Sequence, residues 1–193
     1  DAQCELDHRN PYELLAATIL SAQCTDVRVN QVTPGLFARF PSPEDLAVAD
    51  PLEVEELVRS TGFYKNKARS LIGMAQALVE RFGCAVPSAM EDLVTVPGVG
   101  RKTANVVLNT AFGQPTMAVD THIFRVSNIT GLAPGKTVRA VEDALIKRVP
   151  ADFLLDAHHW LILHGRYVCK ARKPDCPRCG IADLCEYRKK TPA

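Results

Sequence analysis

Apolar residues recur every three or four positions along most of the chain, which is the period of an amphipathic helix. One such stripe occupies residues 68–82 and is followed by Gly83, and another occupies residues 104–112 and is followed by Gly113. A glycine directly after the last apolar position is a common helix C-cap. Both segments are therefore predicted to be helices that end at those glycines.

Polar residues mark the starts of three further helices. Ser42, Asp50 and Ser88 each stand three residues ahead of a carboxylate, which is the spacing of a capping box. Additional helices are predicted at residues 11–22, 26–40, 120–128, 138–147 and 152–163, with a break at Pro34-Gly35 in the second of these. Because no alternating strand of convincing length is present, the predicted fold class is all-α.

The composition is that of an ordinary globular protein. The chain has 193 residues, of which 47% are hydrophobic and 23% are charged, and this excludes disordered and collagen-like chains. The longest apolar stretch, residues 14–20, is far shorter than the about 20 residues needed to span a bilayer, so no membrane partner is expected. A domain boundary is predicted at residues 113–115, which separates residues 10–114 from a second domain formed by residues 1–9 and 115–193.

Charge and cysteine are concentrated towards the C-terminal end. The net charge is +1, yet residues 165–193 carry a net +5, which leaves −4 on the rest of the chain. This asymmetry fits a polyanionic partner, although a basic terminus facing solvent is the commoner explanation for charge alone. The seven cysteines form an odd number, and four of them are clustered, so a secreted disulfide framework is disfavoured.

Residues 96–103 form a tight turn between two predicted helices, with the sequence Val-Pro-Gly-Val-Gly-Arg-Lys-Thr. Gly98 and Gly100 can both adopt positive φ, and the free N–H groups at the start of the next helix can bind phosphate. Two glycines alone also fit a plain helix–helix turn, but the basic residues that follow favour contact with a nucleic-acid backbone. The residues assigned to this contact are Pro97, Gly98, Val99, Gly100, Arg101 and Thr103.

The same turn does not match the phosphate-binding loop of a nucleotide triphosphatase. That loop requires Gly-x-x-x-x-Gly followed directly by Lys, whereas Arg101 intervenes here and Thr95 stands where the first Gly should be. The helical pattern also leaves no room for the parallel sheet that such a loop needs. An NTPase is therefore disfavoured.

Lys102 and Asp120 are candidates for covalent chemistry. The positive end of the helix dipole and the neighbouring Arg101 both disfavour the ammonium form of Lys102, and only a neutral amine can form a Schiff base. Asp120 begins the next predicted helix, where N–H groups keep a carboxylate ionised and able to stabilise positive charge or relay a proton. By residue type alone, a phosphate ligand and a simple N-cap are the commoner roles.

A four-cysteine segment predicts one closed metal site. Its ligands are Cys169, Cys176, Cys179 and Cys185. Paired zinc knuckles usually have two Cys-x2-Cys arms, of which only one is present, while a cubane iron–sulfur cluster needs four thiolates around one compact body. Spacing alone leaves zinc and iron–sulfur open. The intervening loop carries Lys170, Arg172 and Lys173, so a bound metal would also fix a basic finger.

These features together resemble the endonuclease III family of helix-hairpin-helix DNA glycosylases. The resemblance is carried by residues 97–104, by Val-Asp-Thr-His at residues 119–122 and by the four-cysteine spacing, and it extends to residues 21–26 and 160–166. It implies two all-α domains, a helical barrel domain with the hairpin and an iron–sulfur cluster domain, with DNA in a cleft between them. It also implies a [4Fe-4S] cluster and excision of oxidised pyrimidines followed by cleavage at the abasic site.

The resemblance assigns roles to individual residues. Lys102 matches the Schiff-base nucleophile and Asp120 the catalytic carboxylate of the family. Gln23 matches the residue that fills the gap left by the extruded nucleotide. Phe63, where leucine is usual, matches a wedge on the opposite strand, with core packing as the alternative.

Three weaker assignments complete the predicted site. Ser21 and Asp26 are assigned to the base pocket, although they fit equally well as helix caps around Cys24. His122 is assigned to DNA contact, with a hydrogen-bonded helix residue as the commoner role.

The expected partner is double-stranded DNA that contains damaged pyrimidines or abasic sites, bound by a monomer. A bacterial chain of this kind is expected in the cytoplasm with the nucleoid, although Asp1 rather than Met opens the sequence and leaves room for a targeting segment. Two alternatives are a monofunctional glycosylase for adenine or alkylated bases and a non-catalytic DNA-binding module. Lys102 argues against the first, and Lys102 with Asp120 argues against the second.

Overall fold

The computed structural model describes residues 4–192, which divide into a first unit of residues 4–113 and a second unit of residues 114–192. Within this range the regular structure is helical and includes no strand, so the all-α prediction is confirmed. No helix among these residues has the length and apolar character required to cross a membrane.

The first unit contains seven α-helices. They are α1 (Pro11–Leu20), α2 (Asp26–Arg39), α3 (Pro43–Ala47), α4 (Pro51–Val58), α5 (Tyr64–Phe82), α6 (Met90–Leu93) and α7 (Arg101–Phe112), with a 3-10 turn at Arg59–Thr61. The second unit contains α8 (Thr121–Thr130), α9 (Val138–Arg148) and α10 (Ala151–Leu163), a π-helical turn at His164–Val168 and a 3-10 turn at Cys176–Arg178.

Residues 4–9 pack with the first unit, whereas the sequence-based boundaries assigned residues 1–9 to the second domain; residues 1–3 lie outside the described part. Leu6 is buried in the core of the first unit. The Asn30 side chain donates to the Glu5 carbonyl at 2.8 Å and accepts from the Asp7 N–H at 3.0 Å. These contacts tie the segment to α2.

Two of the three predicted capping residues act as caps. Ser42 Oγ accepts from the Asp45 N–H at 3.3 Å, and Asp50 Oδ1 accepts from the Leu52 N–H at 2.9 Å. The third helix starts later than predicted, since α6 begins at Met90 and its N-cap residue offers no side-chain oxygen. The predicted ends of α5 and α7 at Gly83 and Gly113 are confirmed, with φ values of +57° and +62°.

The predicted break at Pro34-Gly35 is wrong, because α2 continues through Pro34. A proline removes one intrahelical hydrogen bond and normally disturbs a helix. Here Thr33 precedes the proline and Phe37 follows it, and both are buried. Packing on both sides therefore holds the helix together across the weak point.

Helix α1 is the central element of the first unit. Leu14, Leu15 and Leu20 are fully buried, and the helix packs against α2, α5 and α7. Burial of a leucine side chain stabilises a fold by about 1.5–3 kcal/mol. This packing fixes the start of α7, where the hairpin turn lies. The second unit has its own core, which includes Met117, Ile123, Val141, Leu145 and Leu154.

Candidate active site

The turn between α6 and α7 is held tightly against α5. Gly98 has φ +80°, and a Cβ there would lie 2.7 Å from Ser70 Cβ, closer than real Cβ contacts allow. On the opposite side of the contact, a Cβ at Gly73 would lie 3.1 Å from Pro97 Cβ. The turn thus approaches α5 at two positions where only a very small residue fits well.

Two residues of this turn are buried in the core, and the others lie at the surface. Val96 and Val99 are buried, while Pro97, Gly98 and Gly100 are exposed. Gly100 does not need positive φ, contrary to the prediction, because as N-cap of α7 it has φ −92°. The two valines anchor the turn, and its backbone faces outward where a ligand can reach it.

Lys102 is exposed in the first turn of α7, beside the exposed Arg101 and the half-buried Thr103. Gly100 has no side-chain oxygen to cap the first N–H groups of the helix, and helix starts of this kind commonly bind anions. Buried Ala104 and Val107 fix the same helix in the core. The helix therefore presents an amine and a set of backbone donors from a rigid base.

Asp120 lies in the second unit as the N-cap of α8. Its Oδ1 accepts from the Ile123 N–H at 2.8 Å, and its side chain is half-buried. The capping geometry expected from the sequence is thus present. The hydrogen bond holds the carboxylate in one orientation at the helix start.

His122 lies on α8 where this helix packs against the π-helical turn. Its Nδ1 is 3.3 Å from Arg125 Nη2, and a Cβ at Gly165 would lie 2.8 Å from His122 Cβ. His122 is thus a hydrogen-bonded helix residue, which is the role given above as the commoner one. Contact with DNA remains a prediction.

Gln23 and Phe63 share an unusual backbone conformation. Both are exposed, and both lie in the left-handed region, with φ values of +53° and +49°. Non-glycine residues rarely adopt this conformation, which costs roughly 1–2 kcal/mol. Such strain often occurs at functional sites. Phe63 is 65% exposed, so core packing does not explain it.

Ser21 is the C-cap residue of α1, which is the helix-cap role given above as the alternative to a pocket role. Its Oγ donates to the Thr18 carbonyl at 2.8 Å. Thr25 caps α2 by accepting from the Arg28 N–H at 3.3 Å, and Asp26 is half-buried in the first turn of α2. A pocket role for Ser21 and Asp26 stays a prediction.

The four cysteines of the second unit line one cavity. They are Cys169, Cys176, Cys179 and Cys185. No three His, Cys, Asp or Glu side chains among residues 4–192 converge as ligands of one metal ion. A tetrahedral zinc site would bring the sulfur atoms to about 3.8 Å from one another. Four thiols that line one pocket without converging on a single ion fit a multi-atom iron–sulfur cluster better than a single zinc ion.

Arg125 supports the first cysteine, and sequence reasoning missed it. Its Nη2 donates to the Gly165 carbonyl at 2.7 Å and to the Cys169 carbonyl at 3.0 Å. Burial raises the pKa of the Cys169 thiol, and the Arg125 guanidinium acts in the opposite direction. An arginine within a helical pattern gives no signal of such a role, because its acceptors are carbonyls about 40 residues away in sequence.

The predicted basic finger lies between the first two cysteines. Lys170, Arg172 and Lys173 are all exposed. The base of this loop is closed by two bonds to the Val168 carbonyl, from the N–H groups of Lys170 at 2.9 Å and Asp175 at 3.0 Å. The three cations thus extend from a fixed base beside the cysteine cavity.

Comparisons with known proteins agree with this arrangement. Residues 16–151 match the model of the HhH-GPD superfamily base excision DNA repair protein, and residues 169–185 match the iron–sulfur binding domain of endonuclease III. The fold and the site thus define a helix-hairpin-helix protein of base excision DNA repair with an iron–sulfur domain.

Individual relatives identify the family within this class. The chain is 53% identical to endonuclease III of Escherichia coli K12 over 96% of its own length and 88% of the relative, and 45% identical to that of Bacillus subtilis over 98% and 87%. A trapped covalent intermediate of endonuclease III with DNA superposes with a TM-score of 0.91 at 46% identity, covering 96% of this chain and 88% of that one. The chain belongs to the endonuclease III family.

Family membership decides between the alternatives raised by the sequence. The chain is a DNA-binding enzyme of base excision repair, a DNA glycosylase and AP lyase, and its cofactor is a [4Fe-4S] cluster. The monofunctional glycosylase and the non-catalytic module are both excluded.

Proposed function

We propose that this enzyme removes damaged pyrimidines from double-stranded DNA with Lys102 as nucleophile and Asp120 as catalytic carboxylate. The observation that carries the proposal is the exposed Lys102 amine in the first turn of α7, directly after the Gly98 turn. A lysine placed there can reach a sugar whose phosphates are bound by the neighbouring backbone donors.

The Lys102 amine, once deprotonated, forms a bond to the sugar carbon that carries the base. The bond from this carbon to the base breaks, and the base leaves with a proton. The sugar ring opens to an imine, which acidifies the adjacent proton. Removal of that proton expels the 3′ phosphate by β-elimination, so the strand is cut. Water then hydrolyses the imine, which returns the Lys102 amine and leaves an unsaturated aldehyde on the 3′ end.

Asp120 supplies a fixed negative charge for the first step. Loss of the base develops positive charge on the sugar, and a preoriented carboxylate stabilises such charge without rearranging. The hydrogen bond from the Ile123 N–H holds the carboxylate in a position from which it can also relay a proton.

DNA binding is proposed to use the hairpin turn, the basic finger and the two strained residues. The turn and the finger bind phosphates without reading sequence. Gln23 fills the space left by the extruded nucleotide, and Phe63 separates bases on the opposite strand. Occupying the vacated stack offsets part of the unstacking cost of a few kcal/mol. Ser21, Asp26 and His122 complete the proposed contacts.

Cys169, Cys176, Cys179 and Cys185 would hold the cluster. When bound, it supplies four iron–thiolate bonds that fix the C-terminal segment in one conformation. The cysteines thereby position Lys170, Arg172 and Lys173 for contact with phosphates. The enzyme is proposed to act as a monomer, free of membranes and associated with the nucleoid in a bacterial cytoplasm.

A duplex with a single thymine glycol tests the reaction. The wild-type enzyme is expected to release the damaged base and to leave a 3′ unsaturated aldehyde at the break, while an undamaged duplex of the same sequence stays intact. Release of the base with an uncut abasic strand would contradict the lyase step.

A further inference from the structure

Lys67 is a buried lysine that the proposed reaction does not use. It lies on α5, and only 5% of it is exposed. Its Nζ donates to the Thr61 carbonyl at 2.8 Å. Burial lowers its pKa. Burial of an amine costs free energy unless hydrogen bonds replace its lost contacts with water, and here the acceptor is the Thr61 carbonyl.

The Thr61 carbonyl stands at the entrance to the Phe63 loop. Gly62 and Phe63 follow it with φ values of +72° and +49°. On the other side of the loop, the Phe63 carbonyl accepts from the Asn66 N–H at 3.0 Å and the Lys67 N–H at 3.1 Å. Lys67 therefore hydrogen-bonds on both sides of this loop. Its side chain binds the Thr61 carbonyl, and its backbone N–H binds the Phe63 carbonyl. These bonds hold the backbone on both sides of Phe63, whose side chain is exposed.

Lys67 is also close to the loop that carries Gln23. The Cys24 side chain, next to Gln23, lies near enough to the Lys67 amine to act on it electrostatically and raise its pKa, against the larger effect of burial. The 3-10 turn that ends at Thr61 packs against α2, the helix that follows Gln23. Lys67 thus binds the carbonyl that ends this turn, and the turn packs against the helix that follows Gln23.

We propose that Lys67 is a positioning residue that holds the Gln23 and Phe63 loops in the conformation that enters DNA. The inference rests on the proposed function, in which these two side chains occupy the duplex. Lys67 acts through them and does not touch DNA itself. Nucleotide extrusion, and not the chemistry at the sugar, is the step that depends on it.

The test compares Lys67→Met with Lys65→Met. Methionine keeps the unbranched apolar stem and removes the amine, and Lys65 is an exposed lysine on the same helix whose loss removes the same charge. A duplex carries thymine glycol beside 2-aminopurine, whose fluorescence rises when the stack opens. A single-stranded abasic oligonucleotide serves as the substrate that needs no extrusion.

Lys67→Met should slow the fluorescence rise and single-turnover excision on the duplex between about 10-fold and 100-fold, as small displacements of positioning groups do. Borohydride trapping on the single-stranded abasic substrate should keep its wild-type rate. Lys65→Met should keep both rates and lose at most about one counterion's worth of salt dependence. Equal losses on both substrates, or no loss on the duplex, would overturn the inference.

Two further variants separate this inference from the proposed function. If Gln23→Ala and Phe63→Ala leave the fluorescence rise unchanged, the assignment of these residues to the duplex fails. If they slow it and Lys67→Met does not, the positioning role alone fails. In a background that lacks both side chains, Lys67→Met should have little further effect, whereas a full multiplied loss would indicate general destabilisation.

The conservative variant Lys67→Gln keeps an N–H donor for the Thr61 carbonyl. It should recover part of the extrusion rate lost in Lys67→Met, and it also provides the measurement if the methionine variant does not fold. A glutamine variant as slow as the methionine variant would show that the hydrogen bond is not the positioning contact.

Discussion

Gly98 offers the sharpest structural test of the hairpin turn. The variant Gly98→Ala places a Cβ at φ +80°, which costs roughly 1–2 kcal/mol, and 2.7 Å from Ser70 Cβ, where overpacking costs typically about 1–3 kcal/mol. We therefore expect the free energy of unfolding to fall by about 2–5 kcal/mol. Affinity for an abasic-site duplex should fall as well, because relief of the contact moves the turn away from α5.

Gly100→Ala is the matched control in the same turn. Gly100 has φ −92°, and no atom lies within 4 Å of its would-be Cβ, so the expected loss is below about 1 kcal/mol, the cost of a poorer N-cap. Adding Ser70→Gly to Gly98→Ala should recover part of the stability, since it removes the nearest atom but not the backbone strain. Urea denaturation and fluorescence anisotropy measure both quantities. Equal effects of the two alanine variants would refute the reasoning.

Three further predictions concern the charge, the cluster and the finger. Asp120→Asn keeps the helix cap but removes the charge, so base excision should fall by about 10²–10⁴ with DNA affinity little changed; full activity would leave Asp120 only a cap. Protein purified without air should be coloured and contain about four iron and four sulfide per chain. Stoichiometric zinc without iron would contradict the cysteine assignment. Cys179→Ser should unfold the basic segment and weaken DNA binding while the first unit stays helical. Charge reversal at Lys170, Arg172 and Lys173 should flatten the dependence of DNA affinity on salt, and an unchanged slope would show that the finger faces solvent.

The parts of the fold that depend on local signals could be predicted from the sequence. Gly83 and Gly113 end their helices as predicted, because positive φ after a helix is a local demand that glycine meets. The break at Pro34 was predicted on the same local grounds and is wrong. Burial of Thr33 and Phe37 is a tertiary effect, which no local signal reports.

The same distinction between local and tertiary signals applies to the candidate site. Lys102, Asp120 and the four cysteines are marked by motif and spacing, so the sequence alone is enough to propose them as site residues. The left-handed conformation of Gln23 and Phe63 could not be predicted, because nothing in a non-glycine residue requires it. Lys67 and Arg125 likewise resemble ordinary helix-surface cations in the sequence. Their partners, a carbonyl six residues upstream and two carbonyls about 40 residues downstream, exist only in the folded chain.

Covalent trapping with borohydride tests the role of Lys102 most directly. Reduction converts an imine into a permanent link, so the wild-type enzyme should become covalently joined to abasic-site or thymine-glycol DNA, with the link at Lys102. Lys102→Gln should bind the same DNA and give neither the link nor the cut strand. Lys102→Arg should also fail, because it keeps the charge but cannot supply a neutral amine at ordinary pH. Efficient trapping by Lys102→Gln, with the link mapped to another lysine, would contradict the assignment.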